Sequence, residues 1–183
     1  MKKNYSVTFF KKTLTPVIAL LIMNFARAQE MTFPTPVGNP NQLFYLQRDP
    51  NTNTIVCELN YKNGVLDEDE PVHTFWIRYG EHGQRAELNF IQRNFAYGVK
   101  SKFIQKDKYE LHFVSYKKYS MYLMRAADNN YHVFATIDKK QVILNRIFIR
   151  VNGGSFWKPN IEYVELKGSD PATGAEVVER MKI

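Results

Sequence analysis

YELHFVSYKKYSMYLMRAADNNYHVFATIDKKQVILNRIFIRV, residues 109–151, alternates apolar and polar side chains in four runs: Tyr109 to Tyr116, Tyr119 to Ala126, Tyr131 to Asp138 and Gln141 to Val151. Alternation at period two gives a strand one face for a core and one for water. The connections are short and polar, at Lys117-Lys118, Asp128-Asn129-Asn130 and Lys139-Lys140. Loops of two or three residues join only antiparallel neighbours, because a parallel pair needs a long crossover. The stretch therefore reads as an antiparallel meander.

The same alternation continues outward. Ser101 to Gln105 precedes the meander across Lys106-Asp107-Lys108, and Ile161 to Lys167 and Glu176 to Met181 follow it, with Pro171 and Gly174 marking a turn between them. Nearer the N-terminus, Leu43 to Arg48, Thr54 to Asn60 and Val72 to Tyr79 alternate in the same way, separated by Asp49-Pro50-Asn51 and Lys62-Asn63-Gly64. Those residues accept the tight or left-handed backbone of a reversal. Ala86 to Tyr97 differs, since Leu88, Ile91 and Phe95 recur at three- and four-residue steps. That spacing predicts one short helix, ended by Gly98 in the left-handed conformation that glycine accepts beyond a C-cap. About nine or ten strands, one helix and no βαβ unit predict a mainly β fold, an antiparallel barrel or sandwich. The sequence leaves the choice between those two open.

At the N-terminus, Lys2, Lys3, Lys11 and Lys12 precede an uncharged apolar run from Leu14 to Phe25, followed by Ala26-Arg27-Ala28. This is the n-region, h-region and small-x-small order of an export signal, with cleavage expected between Ala28 and Gln29. A run of about 12 apolar residues containing Pro16 falls short of the roughly 20 that cross a bilayer, so no membrane span is expected in the mature form. No cysteine follows the run, which argues against a lipoprotein. The expected layout is a signal over 1–28, an extended leader rich in proline over 29–42, and a single β-rich domain over 43–183, periplasmic or secreted. Five cations and no acid leave with the signal, so the formal net charge falls from +7 to +2. The basicity that would suggest a nucleic-acid partner belongs mostly to the discarded segment.

Cys57 is the one cysteine, so no internal disulfide is available. It stands between Ile55 and Leu59 on one face of a strand and reads as a buried, inert thiol. Asp49, Asn51 and Asn53 begin the spacing of a calcium loop, but Thr54 stands where the glycine belongs and Asn60 where the glutamate belongs. Asp67-Glu68-Asp69-Glu70 reads as a solvated acidic loop. His73, His82, His112 and His132 have no local metal-binding spacing, although His112 and His132 lie on strands separated by one other. Gly154-Ser155-Phe156 is no nucleophile elbow, and no glycine loop opens a helix to cradle a phosphate. No motif implies a cofactor.

Aromatic residues are the remaining feature. Phe156 and Trp157 lie in a glycine-rich loop, Tyr97 ends the predicted helix, and a loop aromatic suits a sugar face or a pocket cover. Arg78, Arg85 and Arg93 flank the predicted helix and carry planar forks suited to a carboxylate or phosphate. Arg78, Arg93, Tyr97, Phe156 and Trp157 are the candidate ligand-binding residues.

Four stretches, LFYLQRDPNTNTIVCELN (43–60), PVHTFWIRY (71–79), AYG (96–98) and YVELKGSDPATG (163–174), resemble a family of small exported proteins of unknown function found chiefly in Bacteroidetes. The resemblance implies an extracytoplasmic stand-alone domain and carries over no catalytic residue. The reading that results is a non-enzymatic binding or interaction protein for a small apolar or amphipathic ligand or an envelope protein. Its rivals are a glycan or lipid hydrolase using acids such as Glu110 or Glu162, and a structural component of the cell envelope.

Overall fold

In a computed structural model, residues 33–155 and 158–182 are described, all within a compact unit spanning Met31–Ile183. The segment expected to be an export signal, with its expected cleavage point between Ala28 and Gln29, the first residues of the expected leader, and Phe156 and Trp157 lie outside the described residues. Among the described residues, no helix is long and apolar enough to cross a membrane.

The chain is mainly β, as expected. Its strands are β1 (Gln42–Arg48), β2 (Asn51–Leu59), β3 (Tyr61–Lys62), β4 (Val65–Leu66), β5 (Val72–Arg78), β6 (Gln84–Glu87), β7 (Val99–Gln105), β8 (Lys108–Phe113), β9 (Tyr116–Arg125), β10 (Tyr131–Ile137), β11 (Lys140–Gly154), β12 (Pro159–Ser169) and β13 (Glu176–Lys182). Eleven of them form one sheet curled into a half-barrel, and β3 and β4 make a separate hairpin. The predicted meander is present as β7-β8-β9-β10-β11, each strand antiparallel to the next.

Strand β11 is the seam of the sheet. Its first residues pair with β10 (Ile143 with Phe134), its middle pairs with β1 (Arg146 with Tyr45), and β12 runs along its other edge. A bulge in the β11–β12 ladder between Leu144 and Arg146 marks the point where β11 passes from one partner to the other. The β1–β11 pair is parallel, which corrects the all-antiparallel expectation. Short loops dictate antiparallel pairing only between consecutive strands, and β1 and β11 are far apart in the chain. At Gly168 on β12, a Cβ would lie 2.6 Å from the Ile143 carbonyl oxygen, so glycine lets the two longest strands close.

Two turns shift from their expected places. Lys117 and Lys118 lie within β9, and the β8–β9 reversal falls at Val114-Ser115, where the Val114 N–H donates to the Gly98 carbonyl and Ser115 Oγ to the Ala96 carbonyl. The β10–β11 reversal uses Asp138 and Lys139, both at positive φ, the geometry of a two-residue hairpin turn. Its charged dipeptide is one residue earlier than expected. The predicted helix over 86–97 is largely replaced: Gln84–Glu87 is an edge strand on β5, and the helical part contracts to a π-helical turn over Gln92–Ala96. Gly98 follows that turn without a left-handed backbone. It is required because a Cβ there would lie 1.9 Å from the Arg93 carbonyl oxygen.

The concave face carries the core. Phe44, Ile55, Cys57, Leu111, Met121, Leu123, Ile137 and Leu144 are fully buried in one cluster that fills the half-barrel. The convex face of β1, β2 and β11 is also covered, because the leader lies on it: Gln47 Nε2 donates to the Pro34 carbonyl at 2.9 Å, and the Phe33 ring meets Phe148 edge-on. This cover explains why Gln47, on the opposite parity to Phe44 and Leu46, is buried too. Gln47 is satisfied there by Thr54 Oγ1 and by the Arg146 guanidinium.

Candidate functional site

Along β1, the inward positions Phe44 and Leu46 are buried apolar residues, and the next position of the same parity is Arg48. The alternation therefore delivers a guanidinium to one end of the half-barrel, against the apolar face. Its charge has no carboxylate partner among the described residues, and its Nε–H is closed off from solvent without an acceptor. The guanidinium lies over the ring of Tyr97, 5.7 Å from the centroid. Tyr97 is buried and meets Trp76 edge-on, and burial pushes its phenol upward against the opposing charge of Arg48.

Two cavities open on either side of this pair. The first, about 330 Å³, is walled by Ile91, Phe95, Ala96, Ile149, Val151 and Ile161, with Ser115 and Pro159 at its edge. Among the described residues, Arg48 is its one charged lining residue. The second, about 250 Å³, is lined by Asn51, Asn53, Trp76, Arg78, Glu81 and Gln92, and shares Arg48 and Tyr97 with the first. Arg78 and Glu81 pair with each other at 3.1 Å, so the excess charge there again belongs to Arg48. Phe90, Ile91 and Phe95 are exposed beside the apolar cavity, Phe90 and Phe95 in edge contact. An exposed aromatic cluster beside an apolar cleft is an unusual feature on a free surface.

Of the residues singled out in the sequence, Arg78 and Tyr97 line this region. Arg93 does not, and lies 3.5 Å from Glu87 instead. Arg85 is held by Glu58, with Nη2 at 2.6 Å from Oε1, and stacks on Phe75 at 3.6 Å. Glu58 also accepts from Asn39 and faces His73, which bridges to Glu87. Burial pushes the Glu58 carboxyl up, yet the hydrogen bonds from Arg85, His73 and Asn39 outweigh it and hold the group below its ordinary value. This network ties β2, β5 and β6 together. Phe156 and Trp157 lie outside the described residues, although Val151 and Pro159, on the strands that flank them, line the apolar cavity.

Other sequence features have structural employment. Asp49 is buried, accepts from the Val151 N–H and pairs with Arg150 at 2.6 Å. Asn53 accepts from Gly80, and Asp67 is bound by Lys62 and Asn60. His132 faces Met124, which faces Lys108, so His112 lies four residues along β8 from the point opposite His132 and the two do not meet. Cys57 is fully buried, and that burial pushes its thiol upward. Glu110 sits on β8, taking a hydrogen bond from Ser120, while Glu162 sits on β12 near Arg150. Three strands separate them, so this pair does not form a hydrolytic site. Arg48 escaped the sequence reading. The available signal was a cation at an inward-parity position of an apolar strand.

Fold and site define a class: a curled, eleven-stranded β protein with a cation set into an apolar pocket at one end of its strands. The chain belongs to the family described as domain of unknown function DUF4833, whose model matches residues 44–180. No curated protein and no solved structure matches the chain.

Proposed function

We propose that the protein is an exported binding protein that holds a small amphipathic anion, its carboxylate or equivalent head on Arg48 and its hydrocarbon part in the cavity between the π-helical turn and β11–β12. The observation that carries this reading is the unpaired Arg48 in an otherwise apolar wall. A guanidinium held against low-dielectric surroundings without a carboxylate gains most from an arriving anion, because its hydrogen bonds to a charged acceptor are the strong kind. The apolar wall supplies about 0.8 kcal/mol for each methylene buried. Export is supported by the order of Lys2 to Lys12, the apolar run and Ala26 to Ala28, and a purified product beginning at Gln29 checks it.

Calorimetric titration of the full chain with decanoate and with decanol tests the pocket. The expected result is saturable binding of decanoate, tenfold or more weaker binding of decanol, and loss of that difference in Arg48→Met. Equal affinities for acid and alcohol in the wild type would remove the basis of the reading.

A further inference from the structure

We propose that the cleft at the opposite end of the half-barrel is a second binding site, specific for a neutral saccharide. Four chain segments distant in sequence converge there: the residues entering β1, the β3–β4 hairpin, the β7–β8 turn and the β9–β10 turn. They enclose about 700 Å³, within the range of ligand clefts. Gln42 lines this cleft and Arg48 the other, at the two ends of β1. Six residues of strand at about 3.3 Å each put the two sites roughly 20 Å apart.

The chemistry of this cleft is unlike that of the Arg48 end. Its wall is a fixed polar unit: the Tyr131 hydroxyl donates to Asp107 Oδ1, Arg125 lies 3.6 Å from Asp107 and 4.7 Å from the Tyr131 ring centroid, and Arg125 donates to Asn129 Oδ1 at 3.2 Å. Asp107 is held below its ordinary value, first by the Tyr131 hydroxyl, so the carboxylate is committed to this unit. Lys106 and Arg125 balance Glu68 and Asp107 among the lining residues, so the cleft offers an ion no net attraction. Asp107 and Arg125 are committed to one another, so this pair offers no free charge to a zwitterion.

What remains available is an exposed tyrosine ring and unsatisfied hydrogen-bonding capacity. Tyr61, on the β3–β4 hairpin, is 43% exposed. Asn130, exposed in the cleft, carries a side-chain Oδ1 that accepts no hydrogen bond among the described residues. A sugar matches both, since its C–H face packs on an aromatic ring while each hydroxyl donates and accepts. The cleft is built of loops held by a rigid sheet, where recognition sites concentrate.

The test is calorimetric titration of the full chain with three neutral trisaccharides, chitotriose, cellotriose and maltotriose, and with triglycine as a zwitterionic control. At least one saccharide is expected to bind saturably and triglycine not to bind. Tyr61→Ala should weaken saccharide binding tenfold or more, and Tyr61→Phe should retain it. Tyr61 is exposed on a hairpin outside the main sheet, so neither change threatens folding, and an unchanged melting temperature checks this. Arg48→Met should leave saccharide binding unaltered, which separates this site from the anion pocket. No heat with any of the three sugars, binding of triglycine, or affinity unchanged in Tyr61→Ala would each overturn the assignment.

Discussion

The two ends of the half-barrel are made by the same strands and differ in almost every chemical respect. At the end where β1 begins, the cleft is wide, polar and charge-balanced, and its arginine is committed to Asp107 and Asn129. At the end where β1 finishes, the apolar cavity is narrower, and its arginine is ion-paired to no carboxylate among the described residues. The lesson lies in how charge is placed. Arg125 stands on a strand end beside turn residues that supply acceptors, whereas Arg48 replaces an apolar residue in the inward register. One arginine is structural cement for a cleft, and the other is an unanswered charge. Between them, fully buried Leu111, Met121, Leu123 and Leu144 close the interior, so the two sites are separate pockets rather than the mouths of a channel.

That separation is broken most forcefully through the shared core. Leu111→Ala removes a fully buried side chain between the two ends and should cost about 3 kcal/mol, read as a lowered urea midpoint with unchanged slope. Both ends should lose ligand together near the transition, as expected of one cooperative sheet. A smaller effect belongs to the convex face. Glu58 is depressed in the folded state, so its contribution is present above its ordinary value of 4.5 and is lost as pH falls through the folded value. Glu58→Gln should therefore cost about 1–2 kcal/mol at pH 7 and flatten the acid limb of a melting-temperature profile as pH falls below the ordinary carboxylate range. Neither pocket should change its ligand affinity at pH 7. The smallest effect on stability is expected at the end with the unanswered charge. Arg48→Met removes a donor without an acceptor and should shift stability by no more than about 0.5 kcal/mol, while abolishing discrimination between decanoate and decanol.

The meander was legible because residues 109–151 alternate cleanly and their reversals are short. The seam was not, since nothing local records that β11 trades β10 for β1 at Leu144 or that the β1 pairing is parallel. Leu88, Ile91 and Phe95 gave a helical period that the chain uses for a single π-helical turn, because Gln84–Glu87 gains more by pairing with β5 than by extending a helix. At the site, Tyr97 and Arg78 were reached through aromatic and cationic residues near element ends. Arg85 drew attention for the same reason, yet Glu58, twenty-seven positions earlier, claims it. Arg48 was visible only as a break in inward parity, and the burial of Gln47 blurred that parity by making both faces of β1 interior. The polar cleft was out of reach, because its four segments are brought together only by the curl of the sheet.

The most direct test of the two-ended account is an amide-resolved NMR titration of the full chain with decanoate. Shifts confined to Arg48, Tyr97, Ser115 and Ile161, with Tyr61, Asp107 and Asn129 unmoved, are the predicted result. Shifts centred on the Tyr61 end, or none at either end, would contradict it.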